Sequence, residues 1–234
     1  MRGLFVTGTD TNVGKTLVGC ALARGLRAAG IDVGVMEPAE TGVPAEGPLD
    51  ARALRLAAGV SDPLEEICPQ RFALPASPEA AARAEGRSVS LAGIREAFAR
   101  LSARHAFMLV EGAGGLLVPL DERMDMAGLA RELGLPLLVV ARAALGTINH
   151  TRLVLECAAA RGLEVFGVVV SHSGGALSDA DERNLASLRL RLGPLLVGEV
   201  RPLAAGAEPH PDDVGVSAVL EAIAAGCAGG ARAG

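Results

Sequence analysis

A single α/β domain, with a mostly parallel β-sheet covered by helices on both faces, is the fold that this sequence predicts. Runs that are apolar throughout, such as 107–110, 136–141 and 165–170, alternate with segments whose apolar residues recur at helical spacing. Strands with no polar face are buried on both sides, which requires helices above and below a parallel sheet. The first strand feeds a glycine-bounded loop and then a helix, and 234 residues suit one larger domain better than two small ones.

Taken in order, residues 3–8 form the first apolar strand. The helix after the loop carries Val18, Leu22 and Leu26 on one face and is capped near Gly30. Residues 32–37 read as a second strand ended by Pro38, and 38–48 as loop. Asp50 opens a helix over 51–58 closed by Gly59. Pro63, Pro69, Pro75 and Pro78 mark a connection through which no order is assigned. Helices are expected at 79–85 and 90–104, the latter from Leu91, Ile94, Phe98 and Leu101. A strand over 107–111 runs into the loop Gly112-Ala-Gly-Gly115, where missing side chains let backbone approach a ligand. Beyond it come a short extended piece at 116–120, a helix at 125–133 capped by Gly134, and a strand at 136–141. The turn 145–150 leads into a helix ending at Arg161. The last elements are a strand at 165–170, a helix at 178–192, a strand at 195–199 and a helix at 214–225. The expected domain spans 1–228, and the Gly/Ala tail 229–234 is expected to be disordered.

The chemistry concentrates in the first loop, Gly8-Thr-Asp-Thr-Asn-Val-Gly14-Lys15-Thr16. It misses the usual G-x-x-x-x-G-K-[ST] spacing by one residue, but its strand–loop–helix setting is the one that cradles polyphosphate. Backbone N–H groups and a helix N-terminus surround the phosphates, lysine reaches the outer ones, and the Thr hydroxyl ligates Mg²⁺. Lys15 is the only lysine in the chain, and all other basic residues are arginine. A compact ammonium suits the space between two phosphates where a planar fork does not.

The net charge of −5, without a basic block, argues against nucleic acid and acidic membranes as partners. Cys20, Cys68, Cys157 and Cys227 are far apart in sequence, which fits reduced thiols rather than a disulfide framework or zinc site. With no apolar run of membrane-spanning length and no signal-like N-terminus, the expectation is a soluble, cytoplasmic protein.

By this reading Gly8, Glu37, Glu111 and Arg142 fall at carboxyl ends of strands, where ligands of parallel sheets sit. Glu111 stands where phosphate-loop enzymes place a carboxylate near Mg²⁺. Asp50 admits two readings, a helix N-cap, favoured locally, or a second oxygen ligand. Thr147 and Asn149 precede a helix whose free N–H groups either hold an anion or are simply capped. The four histidines share no ligand spacing and receive no catalytic role.

These segments together resemble the dethiobiotin synthetase family. Thr7-Gly-Thr-Asp-Thr-Asn-Val-Gly-Lys-Thr16, Pro38-Ala-Glu-Thr-Gly42, Val110-Glu-Gly-Ala-Gly-Gly115 and Leu145-Gly-Thr-Ile-Asn-His150 stand in the family's order and spacing. The resemblance implies a P-loop NTPase-like fold and an ATP- and Mg²⁺-dependent ligase that closes a ureido ring from 7,8-diaminopelargonate and CO₂ or bicarbonate. It implies catalytic roles for Lys15, Thr11 and position 37. Asn12, Val13, Gly14, Lys15, Thr16 and Leu17, with Gly112, Ala113 and Gly114, would hold nucleotide, and Thr16, Asp50 and Glu111 the Mg²⁺. Thr41 would contact the diamine, and Leu145, Gly146, Thr147, Ile148 and Asn149 would receive its carboxylate across a homodimer interface. Two departures stand out. Glu37 occupies the position where the family has lysine. Ser171 and His172 stand where it has Asn, often followed by Asp, to read adenine, and Pro202 lies in a loosely similar second adenine contact. The expectation at position 37 is a slow enzyme that still binds nucleotide, with Arg142 as the candidate substitute cation. The rival reading, a nucleotide-switched positioning ATPase, is disfavoured by the single lysine and the Ala/Gly tail.

Overall fold

A computed structural model describes residues 1–172, 177–204 and 206–230, with side chains through 225. Its frame is a six-stranded sheet built from β1 (Gly3–Gly8), β2 (Val33–Met36), β5 (Phe107–Gly115), β6 (Leu137–Arg142), β7 (Val165–Ser171) and β8 (Leu196–Val200). The strand order is β2-β5-β1-β6-β7-β8, and every pairing is parallel. β1 is fully buried at the centre, with Phe5 level with Val110 on one side and Leu137 on the other. That burial on both faces is why its sequence shows no polar alternation.

Helix α1 (Lys15–Ala28) buries Val18, Leu22 and Leu26, the face read from their spacing, and α9 (Val216–Gly230) packs beside it. α5 (Leu91–Arg104) buries Ile94, Ala97 and Leu101 and is capped by the Ser90 hydroxyl. α6 (Met126–Leu133) is capped by Asp125 and ends on left-handed Gly134. α8 (Asp179–Leu192) starts with a capping box between Ser178 and Asp181. Each is a local rule obeyed: a side-chain oxygen meets an orphan N–H, or glycine accepts a positive φ. Cys20, Cys68 and Cys157 are free thiols, and the Cys227 side chain lies outside the described residues. So do residues 231–234 of the expected tail, whereas 229 and 230 belong to α9.

Several elements differ from expectation. Residues 38–48 are not all loop, because β3 (Ala39–Thr41) pairs with β4 (Gln70–Phe72) in a second, two-stranded sheet. Strands this short gain stability only from their partner and the packing around them, so neither carries a local signal. The proline-marked connection also holds α3 (Leu64–Ile67) before β4, and α4 (Pro78–Ala84) follows it. β5 does not stop at Glu111 but runs through the glycines to Gly115. A Cβ at Gly112 would sit 2.7 Å from the Phe5 ring, so glycine at this position is also required by core packing. Residues 116–120 make a turn closed by a single bridge between Pro119 and Asp125, not an extended piece. α7 (Thr147–Ala160) begins earlier than expected, so Thr147, Ile148 and Asn149 form its first turn.

Candidate active site

The loop between β1 and α1 wraps the open carboxyl end of the central strand. A side chain at Gly8 would meet the Asp10 carbonyl oxygen at 2.6 Å and Val13 Cγ2 at 2.9 Å, so the chain can turn this tightly only through glycine. Asn12 and Gly14 both take left-handed backbone, the kind of conformation from which successive amides build an anion-binding concavity. Val13 is completely buried and anchors the loop to the core. A cavity of about 470 Å³ opens here. Thr11, Asn12, Gly14, Lys15, Thr16, Leu17, Thr41, Glu37, Asp50, Glu111, Gly112, Ala113 and Gly114 all line it, together with Ala39 and Glu40.

The carboxylates set its chemistry. Thr16 Oγ1 donates to Glu111 Oε1 at 2.8 Å, which links the start of α1 to β5. One oxygen each of Glu37, Asp50 and Glu111 lie within 4.8 Å of one another. Glu37 and Glu111 are 5% and 2% exposed, and the Oε2 of each has no hydrogen-bond partner. Two ionised carboxylates about 4 Å apart repel by roughly 4 kcal/mol even at an effective dielectric near 20. Burial, and then that repulsion, pushes the Glu37 carboxyl well above its ordinary range. Burial likewise pushes Glu111 up to about 7, against the pull of Lys15 and the Thr16 hydroxyl. Asp50 rises too, through burial and the nearby Glu40. An all-oxygen donor set with two unsatisfied buried atoms fits a hard divalent cation of the Mg²⁺ class.

Asp50 is not the helix cap that its local sequence favours. α2 (Leu49–Ala58) starts two residues earlier than expected, and its N-terminal amides are taken by Glu40. That carboxylate accepts from Leu49 N at 2.7 Å and Ala51 N at 3.1 Å. Glu40 comes from β3, so the cap is a tertiary contact that no sequence spacing near Asp50 announces. Its effect is to leave the Asp50 side chain to the cavity.

Other expected residues lie elsewhere. Arg142 does not reach into the cavity; Asp10, on the loop's rim, is its ion-pair partner at 3.7 Å. Glu37 is not turned away either: its side chain is buried and lines the cavity, with its carboxyl pushed up by burial and by the neighbouring Glu111. Leu145, Gly146, Ile148 and Asn149 line a separate cavity with Arg152, Leu153, Glu156 and Asn184. Leu145 and Leu153 are well exposed there, while Thr147 is buried with its hydroxyl unpartnered. At the end of β7, Ser171 is buried with its hydroxyl unpartnered, His172 Nε2 contacts Glu199 at 2.8 Å, and Pro202 is exposed beyond β8. None of these three lines the loop cavity.

Comparison with known proteins agrees with this geometry. Residues 2–209 match a family described as an AAA domain. The chain is 60% identical over 174 residues to an ATP-dependent dethiobiotin synthetase of Anaeromyxobacter dehalogenans, covering 74% of this chain and 78% of the relative. It is 42% identical to the enzyme of that name from Aromatoleum aromaticum, covering 89% and 93%. Among solved structures it resembles a MinC:MinD cell division protein complex of Aquifex aeolicus with a TM-score of 0.57. That alignment covers 94% of this chain and 96% of the other at 12% identity, a likeness of fold alone.

Proposed function

We propose a reaction for this cavity from one premise: the chain belongs to the ATP-dependent dethiobiotin synthetase family. It acts in biotin biosynthesis as an ATP-dependent ligase, closing the ureido ring of dethiobiotin from 7,8-diaminopelargonate and CO₂. The observation that carries this reading is the convergence of Lys15, Thr16, Asp50 and Glu111 on one cavity at the mouth of the phosphate loop.

In this reading the loop amides of residues 12–17 and Lys15 hold the triphosphate, and Thr11 lies at its outer end. Thr16, Asp50 and Glu111 hold Mg²⁺, which neutralises phosphoryl charge when bound. The diamine, carboxylated at one amine, lies against Thr41 with its carbamate toward Lys15. A carbamate oxygen takes the γ-phosphoryl group, and the second amine then displaces phosphate to close the ring. Both reactants are anions, so catalysis consists of positioning and cationic stabilisation. The substrate carboxylate is received by the α7 N-terminus, residues 145–149, of a partner protomer. The support for a homodimer is that this turn lines a cavity of its own, away from the loop of the same chain. Ser171, His172 and Pro202 are proposed to border the adenine. The free thiols fit a cytoplasmic setting, and no described helix is long and apolar enough to cross a membrane.

The test is phosphate release with Mg·ATP, bicarbonate and diamine, each omitted in turn. Release should need all of them, and release that ignores the diamine would sink the synthetase reading.

A further inference from the structure

The clustered carboxylates of the loop cavity, Glu37, Asp50 and Glu111, number three where a Mg·ATP site needs one or two, and Glu37 stands in place of the family's lysine. Glu37 Oε2 is buried and unpartnered. The groups acting on this side chain most strongly are themselves carboxylates, Glu111 and Glu40. Glu40 offers no relief, since its oxygens are already bound to the α2 amides. Glu111 repeats the pattern: one oxygen is held by Thr16 and the other has no partner. Asp50, at the open side, completes a triangle of oxygens no more than 4.8 Å across. An octahedral cation with ligands at about 2.1 Å spans about 4.2 Å between opposite oxygens, so side-chain adjustments of a fraction of an ångström close the site. Two buried oxygens without partners, one each on Glu37 and Glu111 of this triangle, are the second sign of an ion, beyond acidity alone.

We infer that Glu37 converts this pocket into a divalent-cation site that fills before nucleotide arrives, with Glu37, Asp50 and Glu111 each giving one oxygen. Sites of this kind usually take Mg²⁺ with the nucleotide, because one or two carboxylates bind it weakly and phosphates supply the remaining charge. A third carboxylate changes that balance. Loading in this order leaves the cation in the pocket after nucleotide and products depart. The inference rests on the reading of the cavity as a Mg·ATP site, and its test separates the two.

The full chain, free of nucleotide, is titrated with Mn²⁺ while the signal of the free ion is followed by electron paramagnetic resonance. One Mn²⁺ should bind per chain. Glu37→Gln should weaken it at least tenfold, and Glu37→Lys should abolish it, with circular dichroism confirming the fold. If Glu37→Gln does not fold, Asp50→Asn, on the open side, should also weaken Mn²⁺ binding at least tenfold. Binding only when ATP is added, or equal affinity in the folded variants, overturns the inference and leaves the synthetase reading standing. Failure to bind Mn·ATP at all would overturn that reading instead.

Discussion

Two carboxylate groups sit near opposite edges of the same sheet, and they are solved in opposite ways. At the β8 edge, Glu199 accepts from Arg189 Nη2 at 2.6 Å and Nε at 2.8 Å, and pairs with His172 at 2.8 Å. These partners, Arg189 first, hold its carboxyl down to about 2 against the effect of burial. Near the β2 edge, Glu37 and Glu111 are buried more deeply and each keeps an oxygen without a partner. Charge-assisted bonds in a fixed fork make the first cluster a clamp between α8 and β8. The second is left unfinished, an arrangement that a folding requirement alone would not retain, because unpaired buried polar groups cost stability. The difference teaches where to look for ligands: among buried carboxylates, those whose partners are missing.

The largest effect expected is at the unfinished cluster. Lys15→Ala should cut diamine-dependent turnover by on the order of 10² or more, since it removes a cation aimed at phosphoryl charge, a loss of about 3 kcal/mol. The same change, at the half-buried first residue of α1 outside the apolar core, should move folding stability by less than about 0.5 kcal/mol in denaturant titration. Near-normal turnover would erase the functional side of the contrast.

Glu37→Lys should raise diamine-dependent phosphate release by about 10², because it restores a preorganised cation beside the carbamate. Steady-state kinetics on the purified variant decides this. Unchanged or slower turnover would mean that Glu37 takes part in catalysis as it stands.

Glu199→Ala should behave in the reverse sense. Leaving His172 and Arg189 without their acceptor should destabilise the fold by about 2 kcal/mol, measured by urea unfolding, with turnover per folded molecule within a few-fold of the parent. A collapse of activity without loss of stability would make the clamp a functional group after all.

The smallest effect is in pH dependence, where the signs differ. Glu111 holds its proton to about pH 7 when folded but only to about 4.5 otherwise. Its contribution is therefore fully present below about 4.5 and is lost as pH rises through 7. For Glu199, with a folded value near 2, stability is present above about 4.5 and is lost as pH falls toward 2. Melting of the nucleotide- and metal-free chain should accordingly find Glu111→Gln gaining on the parent between pH 5 and 8. The deficit of Glu199→Gln should shrink below pH 4.5. Parallel curves in both pairs would show that the two clusters are not electrostatically distinct.

The phosphate loop was legible because its requirements are local. Gly8 and Gly14 answer backbone constraints within a few residues, and Lys15 and Thr16 follow from them by fixed spacing. The central strands were legible because burial on both faces leaves an unbroken apolar run, and α1 and α5 because their buried residues repeat at helical spacing. The β3–β4 pair was not, since each strand is three residues long and is held by a partner 31 residues away. Arg142 was misplaced for a related reason: sequence puts it at the right end of β6 but cannot say that its guanidinium turns to Asp10.

The sequence by itself therefore determined the α/β alternation, the loop that takes phosphate, and the identity of the carboxylates at the strand ends, all of which follow from spacing and from period. Only the tertiary structure decided what those carboxylates do. Glu40 reaches from β3 to cap α2, which leaves Asp50 to the cavity, and Glu199 finds its arginine on α8 while Glu37 and Glu111 find none. Partnership of a buried charge depends on distances across elements far apart in the chain. A carboxylate in a sequence is the same residue whether or not a cation waits for it.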